Sequence, residues 1–397
     1  AKYLRNIQES SPLHLFPFIY FVHFRRMCTF VKSIDSMHIT LVAGARPNFM
    51  KVSPIINEIK KRQKQGVDVQ YSLVHTGQHY DKLMSGLFFE ELNIPEPDVN
   101  LAAGGGTQAE QTGAIMIAFE QYLSSHPTNL VIVVGDVTST MACSIVAKKM
   151  GIKLAHVEAG IRSFDLSMPE EINRMVTDSI TDYFFITSDY ALNNLQKAGI
   201  PKERIFFVGN VMIDCLLANL HKLQKPIIFD EFKLQSKEYI ILTLHRPANV
   251  DNTENLLHIL QAIDDNAQGH TIVFPIHPRT EQRLANVQYS FKNIQFTKPL
   301  GYLEFIYCIQ NSLAVITDSG GITEETTVLG VPCMTMRDNT ERPETCTIGT
   351  NELIGTNPDN LVPALQTLFN GKWKQGSIPP LWDGKAAERI MDVIIHL

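Results

Sequence analysis

The stretch ITDSGGITEETTVLGVPCMTMRDNTERPE, residues 316–344, decides the fold of this chain. It begins at the end of an apolar, β-branched run, which is typical of a buried parallel strand. The letters TDSGG then end the strand, and a short helix is predicted over residues 322–329, with Glu324 and Glu325 in its first turn. A second apolar run, residues 332–336, predicts another strand. The stretch therefore predicts a strand–helix–strand unit of a parallel α/β protein.

The glycines of this stretch lie where a phosphate can bind. Backbone N–H groups at a helix start have no intrahelical partner, and glycines let a ligand approach them closely. Glu325 is itself an anion and suits the hydroxyl groups of a ribose better, and Arg342 follows downstream. A turn that merely needs glycines explains SGG alone equally well, but the arginines and the other strand ends favour a ligand. We therefore predict a site for a diphosphate-linked nucleotide.

The composition describes a globular protein with a large core and narrows the choice of partners. The chain has 397 residues, of which 44% are hydrophobic and 19% charged, and its formal net charge is −6. The length suits two domains, and the negative charge argues against a general nucleic-acid binder, which needs a basic face. The six cysteines show no CxxC spacing. We expect buried free thiols in a reducing cytoplasm rather than disulfides or a metal site.

Residues 1–36 differ from the rest of the chain. Their apolar run LHLFPFIYFVHF, residues 13–24, contains Pro17 and is well short of the roughly twenty residues that a bilayer-spanning helix needs. No cleavage site of the signal-peptide type follows it. We expect a poorly structured N-terminal extension before a start at Met37 and no membrane insertion. An interfacial anchor is the alternative.

From His38 onward, short apolar runs alternate with helical segments, which predicts parallel α/β layering. The predicted strands are 38–43, 69–74, 130–134, 153–156, 183–186, 205–210, 239–243, 271–275, 293–296, 313–317 and 332–336. The predicted helices are 50–63, 80–92, 107–124, 139–149, 169–180, 188–198, 211–223 and 386–396, with a loop at 102–106. The series restarts after Pro201. We therefore predict two doubly wound domains, 37–204 and 205–379, and a C-terminal helical segment, 380–397, that packs back on the first domain.

Arginines, histidines and acids follow nearly every predicted strand. Ligands of open parallel sheets collect outside the carboxyl ends of the strands, so these side chains mark a candidate site. They stand in GARPNFMK (44–51), HTGQH (75–79), GDVTST (135–140), HVEAGIR (156–162), MPEEINR (168–174), LHRP (244–247) and IHPR (276–279). Each has an ordinary explanation alone: Glu170 is a favourable charge at a helix start, and Asp136 is a cap. Their joint occurrence at one edge of both sheets favours a functional site.

The chain from about Met37 to its end resembles the non-hydrolysing UDP-N-acetylglucosamine 2-epimerases. The motifs that carry the resemblance are GARPNFMK, HTGQHYD, GDVTSTMA, HVEAGIRSFD, MPEEINR, HR, HPRT, TDSGGITEE, G-x-P and TERPE, in the order of that family. The resemblance implies two Rossmann-like domains in a glycosyltransferase-B arrangement, with the active site in the cleft between them. It also implies that a cytoplasmic homodimer interconverts UDP-N-acetylglucosamine and UDP-N-acetylmannosamine without a cofactor, for surface polysaccharide synthesis.

The same resemblance assigns roles to residues of this chain. The residues that match the catalytic groups of the family are Asp136, Glu158, Glu170 and His245. The residues that match its substrate contacts are Arg46, Lys51, Leu300, Phe305, Ser319, Gly320, Gly321, Glu325 and Arg342. Among these, residues 319–321 correspond to the diphosphate cradle, Glu325 to the ribose ligand, and Leu300 and Phe305 to the uracil contacts, with only the backbone of Leu300 able to serve.

The chain departs from the family pattern at a possible second, activating site for substrate. HR is followed by PAN where many bacterial relatives have REN, and the loop AAGGG lacks an arginine that some relatives use to hold the effector. Gln78, Arg246 and His277 are the residues left to form such a site. RSFD also resembles relatives that act on a UDP-linked diacetamido uronic acid, whereas TERPE favours the N-acetylglucosamine substrate.

Inversion at C2 explains why acids and cations would be needed. The C2 hydrogen is not next to a carbonyl, so the resemblance implies that UDP leaves C1 as the C2 proton leaves, and then adds back to 2-acetamidoglucal. This route needs carboxylates for proton transfer on two faces of the sugar, and cations for the departing diphosphate. No G-x-G-x-x-G follows the first strand and no metal-ligand spacing occurs. Which carboxylate is the base stays open.

Three other interpretations also stay open: a 2-epimerase of the diacetamido uronic acid nucleotide, a glycosyltransferase of the same architecture, and a catalytically silent nucleotide-sugar sensor. Three acids in the first domain speak against the last two. Incubation with UDP-N-acetylglucosamine alone separates these two from the epimerase, because only the epimerase forms UDP-N-acetylmannosamine without an acceptor.

Overall fold

Two parallel β-sheets organise the part of the chain that the structure, a computed structural model, describes. That part is residues 36–78, 92, 94–284 and 289–397, without the side chains of Pro278 and Arg279. The predicted extension, apart from Ser36, and the predicted helix over residues 80–92, apart from Leu92, lie outside the described residues. The predicted α/β class with parallel sheets is confirmed.

The first sheet has the strand order β3-β2-β1-β4-β5-β6-β7. Its strands are β1 Met37–Ala43, β2 Val69–His75, β3 Val99–Asn100, β4 Leu130–Val134, β5 Lys153–Val157, β6 Tyr183–Ile186 and β7 Ile205–Phe207. Ala43 pairs with His75, so β1 and β2 end side by side. The strand order reverses between β1 and β4, and this reversal opens a crevice at the carboxyl ends where ligands of such sheets bind.

The second sheet repeats this plan with the strand order β10-β9-β8-β11-β12-β13. Its strands are β8 Tyr239–Thr243, β9 Thr271–Pro275, β10 Ile294–Thr297, β11 Ala314–Thr317, β12 Cys333–Thr335 and β13 Asn351–Leu353. The order reverses between β8 and β11, where Thr243 pairs with Thr317. The segments after these two strands therefore leave the sheet together at a second crevice.

The prediction that a second series of strands begins at residue 205 is wrong. β7 pairs with β6, with Phe184 opposite Ile205, and so completes the first sheet. The chain enters the second sheet only at β8. An apolar run indicates a strand but does not say which neighbour that strand takes. Where the chain divides into domains stays a prediction.

Helices connect the strands in both halves. The described helices are α1 Arg46–Lys64, α2 Gln108–Ser125, α3 Thr138–Lys149, α4 Pro169–Ile180, α5 Asp189–Lys197, α6 Val211–Asn219, α7 Ile228–Glu231, α8 Pro247–Val250, α9 Thr253–Asp265, α10 Pro278–Leu284, α11 Tyr302–Asn311, α12 Gly320–Leu329, α13 Pro343–Thr347, α14 Leu361–Phe369 and α15 Ala386–Ile394. Single 3₁₀ turns occur at Lys202–Arg204, Leu220–Lys222 and Pro358–Asn360. No helix in the described part of the chain combines the length and hydropathy that a membrane span needs.

The central strands are mostly apolar because helices cover both faces of each sheet. All five residues of β4 are buried, and β11 is buried throughout. The last helix, α15, packs against α1, where Arg62 Nη2 lies 2.6 Å from Asp392 Oδ1. Its first turn is capped from α6, because Asp214 accepts hydrogen bonds from the backbone N–H groups of Ala386 and Ala387. These contacts hold the end of the chain against the first sheet.

Candidate active site

One cavity of about 1120 Å³ lies at both crevices and is lined by segments that follow β1, β4, β8 and β11. Of the residues predicted from the sequence, those that line it are Arg46, Lys51, Asp136, Glu170, His245, Arg246, Leu300, Phe305, Ser319, Gly320, Gly321, Glu325 and Arg342. The two strand-order reversals explain this convergence, since each brings a pair of loops to one point. The cavity is large enough for a nucleotide sugar.

Asp136 follows β4 and is held by an arginine that the sequence argument did not single out. Arg174 Nη2 lies 2.5 Å from Asp136 Oδ2, and Asn173 donates to the backbone carbonyl of Asp136. Arg174 stands one helical turn after Glu170 on α4, so both reach the cavity. Burial alone would raise the pKa of Asp136, but the charges of Arg174, Lys51 and Arg342 outweigh it and hold that pKa below its ordinary value. Asp136 is therefore a carboxylate at neutral pH.

Glu158 lies behind the cavity, and the described lining does not include it. Its Oε2 accepts from Lys51 Nζ at 2.7 Å and from Arg342 Nη2 at 3.0 Å, while Oε1 is buried without a hydrogen-bond partner among the described residues. Its backbone is left-handed, with φ of +70°, which is uncommon for a residue with a side chain and often marks functional sites. Both cations do line the cavity, so Glu158 contacts the site through Lys51 and Arg342.

The start of α12 forms the floor of the second crevice. Ser319 is the N-cap, and Gly320 and Gly321 are the first two helical residues, so their N–H groups have no intrahelical partner. A Cβ at Gly321 would meet nothing within 4 Å. Crowding within the protein therefore does not require this glycine, and the space beside it is open to a ligand. The prediction that Glu324 and Glu325 stand in the first turn is wrong, because the helix begins two residues earlier than predicted.

Glu325 is buried on the inner side of α12 and hydrogen-bonded to one tyrosine. Tyr302 Oη donates to Glu325 Oε1 at 3.0 Å. Burial raises the pKa of Glu325 to about 8, even though the bond from Tyr302 opposes the shift. Leu300 and Phe305 line the same part of the cavity beside Tyr302. The surroundings of this carboxyl are thus apolar and aromatic, which suits neutral hydroxyl donors rather than an anion.

His245 follows β8 and is oriented by a buried acid. Its Nδ1 lies 2.7 Å from Asp318 Oδ1, while the side chain is 58% exposed and borders the cavity. Asp318 also accepts from the backbone N–H groups of His245 and Arg246 and from Asn249 Nδ2. Burial alone would raise the pKa of Asp318, but these hydrogen bonds and the His245 interaction lower it. A fixed carboxylate at Nδ1 leaves Nε2 as the nitrogen that can act on a ligand.

Three arginines surround Glu341, which follows the end of β12. Arg337 binds Glu341 through two hydrogen bonds of 2.7 and 2.9 Å. Arg246 and Arg174 approach the same carboxylate at 3.8 and 3.7 Å. Burial alone would raise the pKa of Glu341, but its bonds to Arg337 and the nearby charges lower the pKa to about 2. Glu341 therefore faces three arginines, of which Arg174 is also paired with Asp136 and Glu171.

Of the three residues predicted for an effector site, two are not among the residues that line the cavity described above. Gln78 is bound to the first turn of α3, where its Oε1 accepts from Ser139 N at 3.1 Å and Oγ at 2.7 Å. His277 lies exposed beyond the end of β9. Arg246 alone of the three borders the cavity. The effector site stays a prediction.

The sequence argument missed five residues of the site. They are Arg174, Asp318, Tyr302, Glu341 and Met212. Arg174 had a signal, since it stands four residues after Glu170 and shares its helix face. Asp318 stands directly after β11, at a strand end, but only the fold brings it to His245. Among the described residues, no group of three or more His, Cys, Asp and Glu side chains has metal-binding geometry.

Comparison with known proteins identifies one family. A family model described as UDP-N-acetylglucosamine 2-epimerase matches residues 60–395. The UDP-N-acetylglucosamine 2-epimerase of Methanocaldococcus jannaschii is 42% identical over 372 residues, which cover 91% of this chain and 99% of that protein. Its crystal structure with UDP-GlcNAc and UDP superposes with a TM-score of 0.80 at 41% identity, covering 91% and 100% of the two chains. The predicted glycosyltransferase-B type of arrangement is confirmed.

A relative with a different substrate matches nearly as well. The UDP-2,3-diacetamido-2,3-dideoxy-D-glucuronate 2-epimerase of Pseudomonas aeruginosa is 37% identical over 365 residues, which cover 91% of this chain and all of that protein. The matches agree on epimerisation at C2 of a UDP-linked sugar and differ in the sugar.

Proposed function

Because the chain belongs to the UDP-N-acetylglucosamine 2-epimerase family, we propose that it interconverts UDP-N-acetylglucosamine and UDP-N-acetylmannosamine by inverting C2 of the sugar. The observation that carries the proposal is a single cavity that holds Asp136 and Glu170 from one sheet, and His245 with the start of α12 from the other. Acids for proton transfer and donors for a diphosphate thus meet in one place.

The second half of the cavity is suited to a leaving UDP. The free N–H groups at the start of α12 and the imidazole of His245 can donate to the diphosphate as the C1–O bond breaks. The buried carboxyl of Glu325 suits the ribose hydroxyl groups, with Phe305 and Leu300 beside the uracil. These groups would hold UDP next to 2-acetamidoglucal until it adds back. Retention of both fragments lets UDP add back, so that the net reaction is an epimerisation and not an elimination.

The first half supplies the acids. Asp136 is kept ionised by Arg174, which suits it to accept a proton rather than to donate one. Glu170 begins α4 on the same wall of the cavity. Glu158 would act from behind, because its Oε2 fixes Lys51 and Arg342, two cations of the cavity wall. We therefore propose direct proton transfer for Asp136 and Glu170, and leave to experiment whether Glu158 also reaches the sugar.

Incubation with UDP-N-acetylglucosamine alone in D₂O tests the proposal. We expect UDP-N-acetylmannosamine with deuterium at C2, because carboxylates exchange protons with solvent, and some free UDP and 2-acetamidoglucal after long incubation. Asp136→Asn and Glu170→Gln should each lower turnover by roughly 10²- to 10⁴-fold, the range for lost acid–base catalysis. Glu158→Gln should lower turnover as well, because it weakens the contacts that fix Lys51 and Arg342. Glu203→Gln, an exposed acid of the same half, is the matched control. Product that retains protium at C2, or full activity in all three variants, would contradict the mechanism.

The diacetamido uronic acid nucleotide is the second candidate substrate, favoured by the relative with 37% identity. The test is a competition in which both nucleotide sugars are supplied together and kcat/KM is compared. We expect UDP-N-acetylglucosamine to be preferred, and a preference for the uronate would replace the substrate while retaining the reaction.

We also propose that the enzyme is a cytoplasmic homodimer whose product feeds surface polysaccharide synthesis, as the family resemblance implies. Light scattering on the purified chain should give twice the mass of 44.7 kDa, and a monomer that remains fully active would contradict the dimer.

A further inference from the structure

His156 is a fully buried histidine whose two ring nitrogens both contact oxygen atoms. It stands in β5, one residue before the end of the strand, and none of its surface is exposed. Its Nδ1 lies 2.7 Å from Asp178 Oδ1, and its Nε2 lies 2.8 Å from the backbone carbonyl oxygen of Gly135.

Both partners of His156 are hydrogen-bond acceptors. A backbone carbonyl oxygen can only accept, so Nε2 must carry a proton. Asp178 accepts from the backbone N–H of Gly160 at 3.0 Å and lies 2.7 Å from Arg162 Nη2, so it is a carboxylate that also needs a donor at Nδ1. Burial alone would raise the pKa of Asp178, but His156 and Arg162 outweigh it and lower the pKa. A ring that donates from both nitrogens is an imidazolium.

The contacts of this pair link the three segments that carry the predicted acids. The Gly135 carbonyl directly precedes Asp136, and the Gly160 N–H follows Glu158 by two residues. Asp178 itself stands on α4, two turns beyond Glu170. We propose that His156, paired with Asp178, is a positioning residue that fixes the spacing of Asp136, Glu158 and Glu170. The inference rests on the proposed function, in which these acids act on one sugar.

The backbone beside the acids explains why such a pair is needed. Gly135, Glu158 and Gly160 all have positive φ, of 65°, 70° and 77°. These sharp turns come directly after β4 and β5, where the regular sheet pairing ends. Glycine adopts a left-handed backbone without strain, but at Glu158, which has a side chain, that backbone persists only where surrounding contacts hold it. The His156 ring bridges one turn to the other through Asp178, and its charge strengthens both hydrogen bonds.

Nuclear magnetic resonance tests the protonation state without any assay of activity. In protein labelled with ¹⁵N-histidine at pH 7, we expect protons on both ring nitrogens of His156, identified by the signals that His156→Asn removes. A ring with one unprotonated nitrogen would overturn the proposal.

Kinetics test the positioning role. His156→Asn should lower kcat for UDP-N-acetylglucosamine by about 10- to 100-fold, the cost of small misplacements of catalytic groups. KM and the dissociation constant for UDP should stay unchanged, because the diphosphate cradle lies in the other half. His38→Asn, which removes a histidine bonded to Ser72 at the opposite end of the same sheet, is the matched control and should keep wild-type kcat. His156→Gln serves if the asparagine variant fails to fold.

The outcomes separate the two proposals. Equal losses of kcat and UDP affinity would indicate general disruption and overturn the positioning role, as would unchanged kcat. Wild-type protein that does not epimerise UDP-N-acetylglucosamine would defeat the proposed function, whereas the resonance measurement would still decide the charge of His156.

Discussion

His156 and His245 make the same contact in two different settings. Each ring places Nδ1 at 2.7 Å from the carboxylate of a buried aspartate, Asp178 or Asp318. The His156 ring is fully buried, and its second nitrogen is bonded to a backbone carbonyl. The His245 side chain is 58% exposed and borders the cavity. The aspartate fixes the ring in both pairs, and the surroundings of Nε2 decide whether the histidine holds the protein together or acts on a ligand.

The two pairs also belong to the two halves of the proposed chemistry. The buried pair supports the loops that carry the acids, and the exposed pair lies beside the start of α12, where the diphosphate is proposed to bind. Loss of the first should therefore affect stability most, and loss of the second should affect turnover most.

The largest expected effect is a loss of stability when the buried pair His156–Asp178 is broken. His156→Ala leaves Asp178 buried with only part of its compensation, and breaking a buried ion pair in this way costs about 3 to 5 kcal/mol. His245→Ala removes a largely exposed ring and should cost about 0 to 1 kcal/mol. Urea unfolding of both variants at pH 7 measures the difference. Equal losses would show that exposure does not distinguish the pairs.

The next largest effect is a loss of turnover when the exposed pair His245–Asp318 is broken. His245→Ala should lower kcat by about 10²-fold or more, as expected when one donor to developing charge is lost. Asp318→Asn should lower kcat less, by about 10-fold, since it only disturbs the donor that contacts the ligand. If Asp318 acts through His245, the double variant should be no slower than His245→Ala. His258→Ala, an exposed histidine on α9, is the control. Additive losses would assign Asp318 a separate role.

Most strands were predictable because each contains an apolar run, whereas β3 and β13, with the sequences VN and NEL, are short and largely polar and were not predicted. β4, β6, β8 and β9 have the predicted bounds to the residue, since nothing polar interrupts these buried strands. β7 was assigned to the wrong sheet because neighbours are chosen by the three-dimensional packing. The start of α12 was placed too late because Gly320 and Gly321 were taken for a loop, whereas glycine is acceptable at the start of a helix.

From the sequence we could predict which strand ends form the site. We could not predict which side chains contact one another there. Topology alone brings Asp136, His245 and Ser319 to one cavity. Glu158 is buried and has a left-handed backbone, and its residue type predicts neither. His156 stands in the quoted motif HVEAGIR, but a histidine in an apolar strand is typical of an ordinary core position. Its role depends on Gly135 and Asp178, which only the sheet and α4 bring to it.

The smallest expected effect is a loss of stability at low pH, and it should differ between Asp178 and Asp318. The pKa of Asp178 and that of Asp318 both lie below the ordinary value. A carboxylate with a lowered pKa in the folded state contributes stability above its unfolded pKa of about 3.9, and loses it as the pH falls through the folded value. Burial alone would raise both pKa values. His156 and Arg162 outweigh it at Asp178, and both are buried or nearly so, whereas the main partner of Asp318 is the exposed His245.

We therefore expect the variants Asp178→Asn and Asp318→Asn to lose different amounts of stability as the pH falls. At these two aspartates the unfolded wild-type chain binds more protons than the folded protein in the lower part of the range from pH 6 to pH 3, so their contribution to stability should fall there. Asp178→Asn should reduce this loss more than Asp318→Asn does, since a buried pair is screened less by water and salt. Urea midpoints at both pH values measure the difference, and Glu203→Gln should follow the wild type. A larger reduction in Asp318→Asn would show that the backbone N–H groups around Asp318, and not the histidine partner, determine the charge of a buried aspartate in this fold.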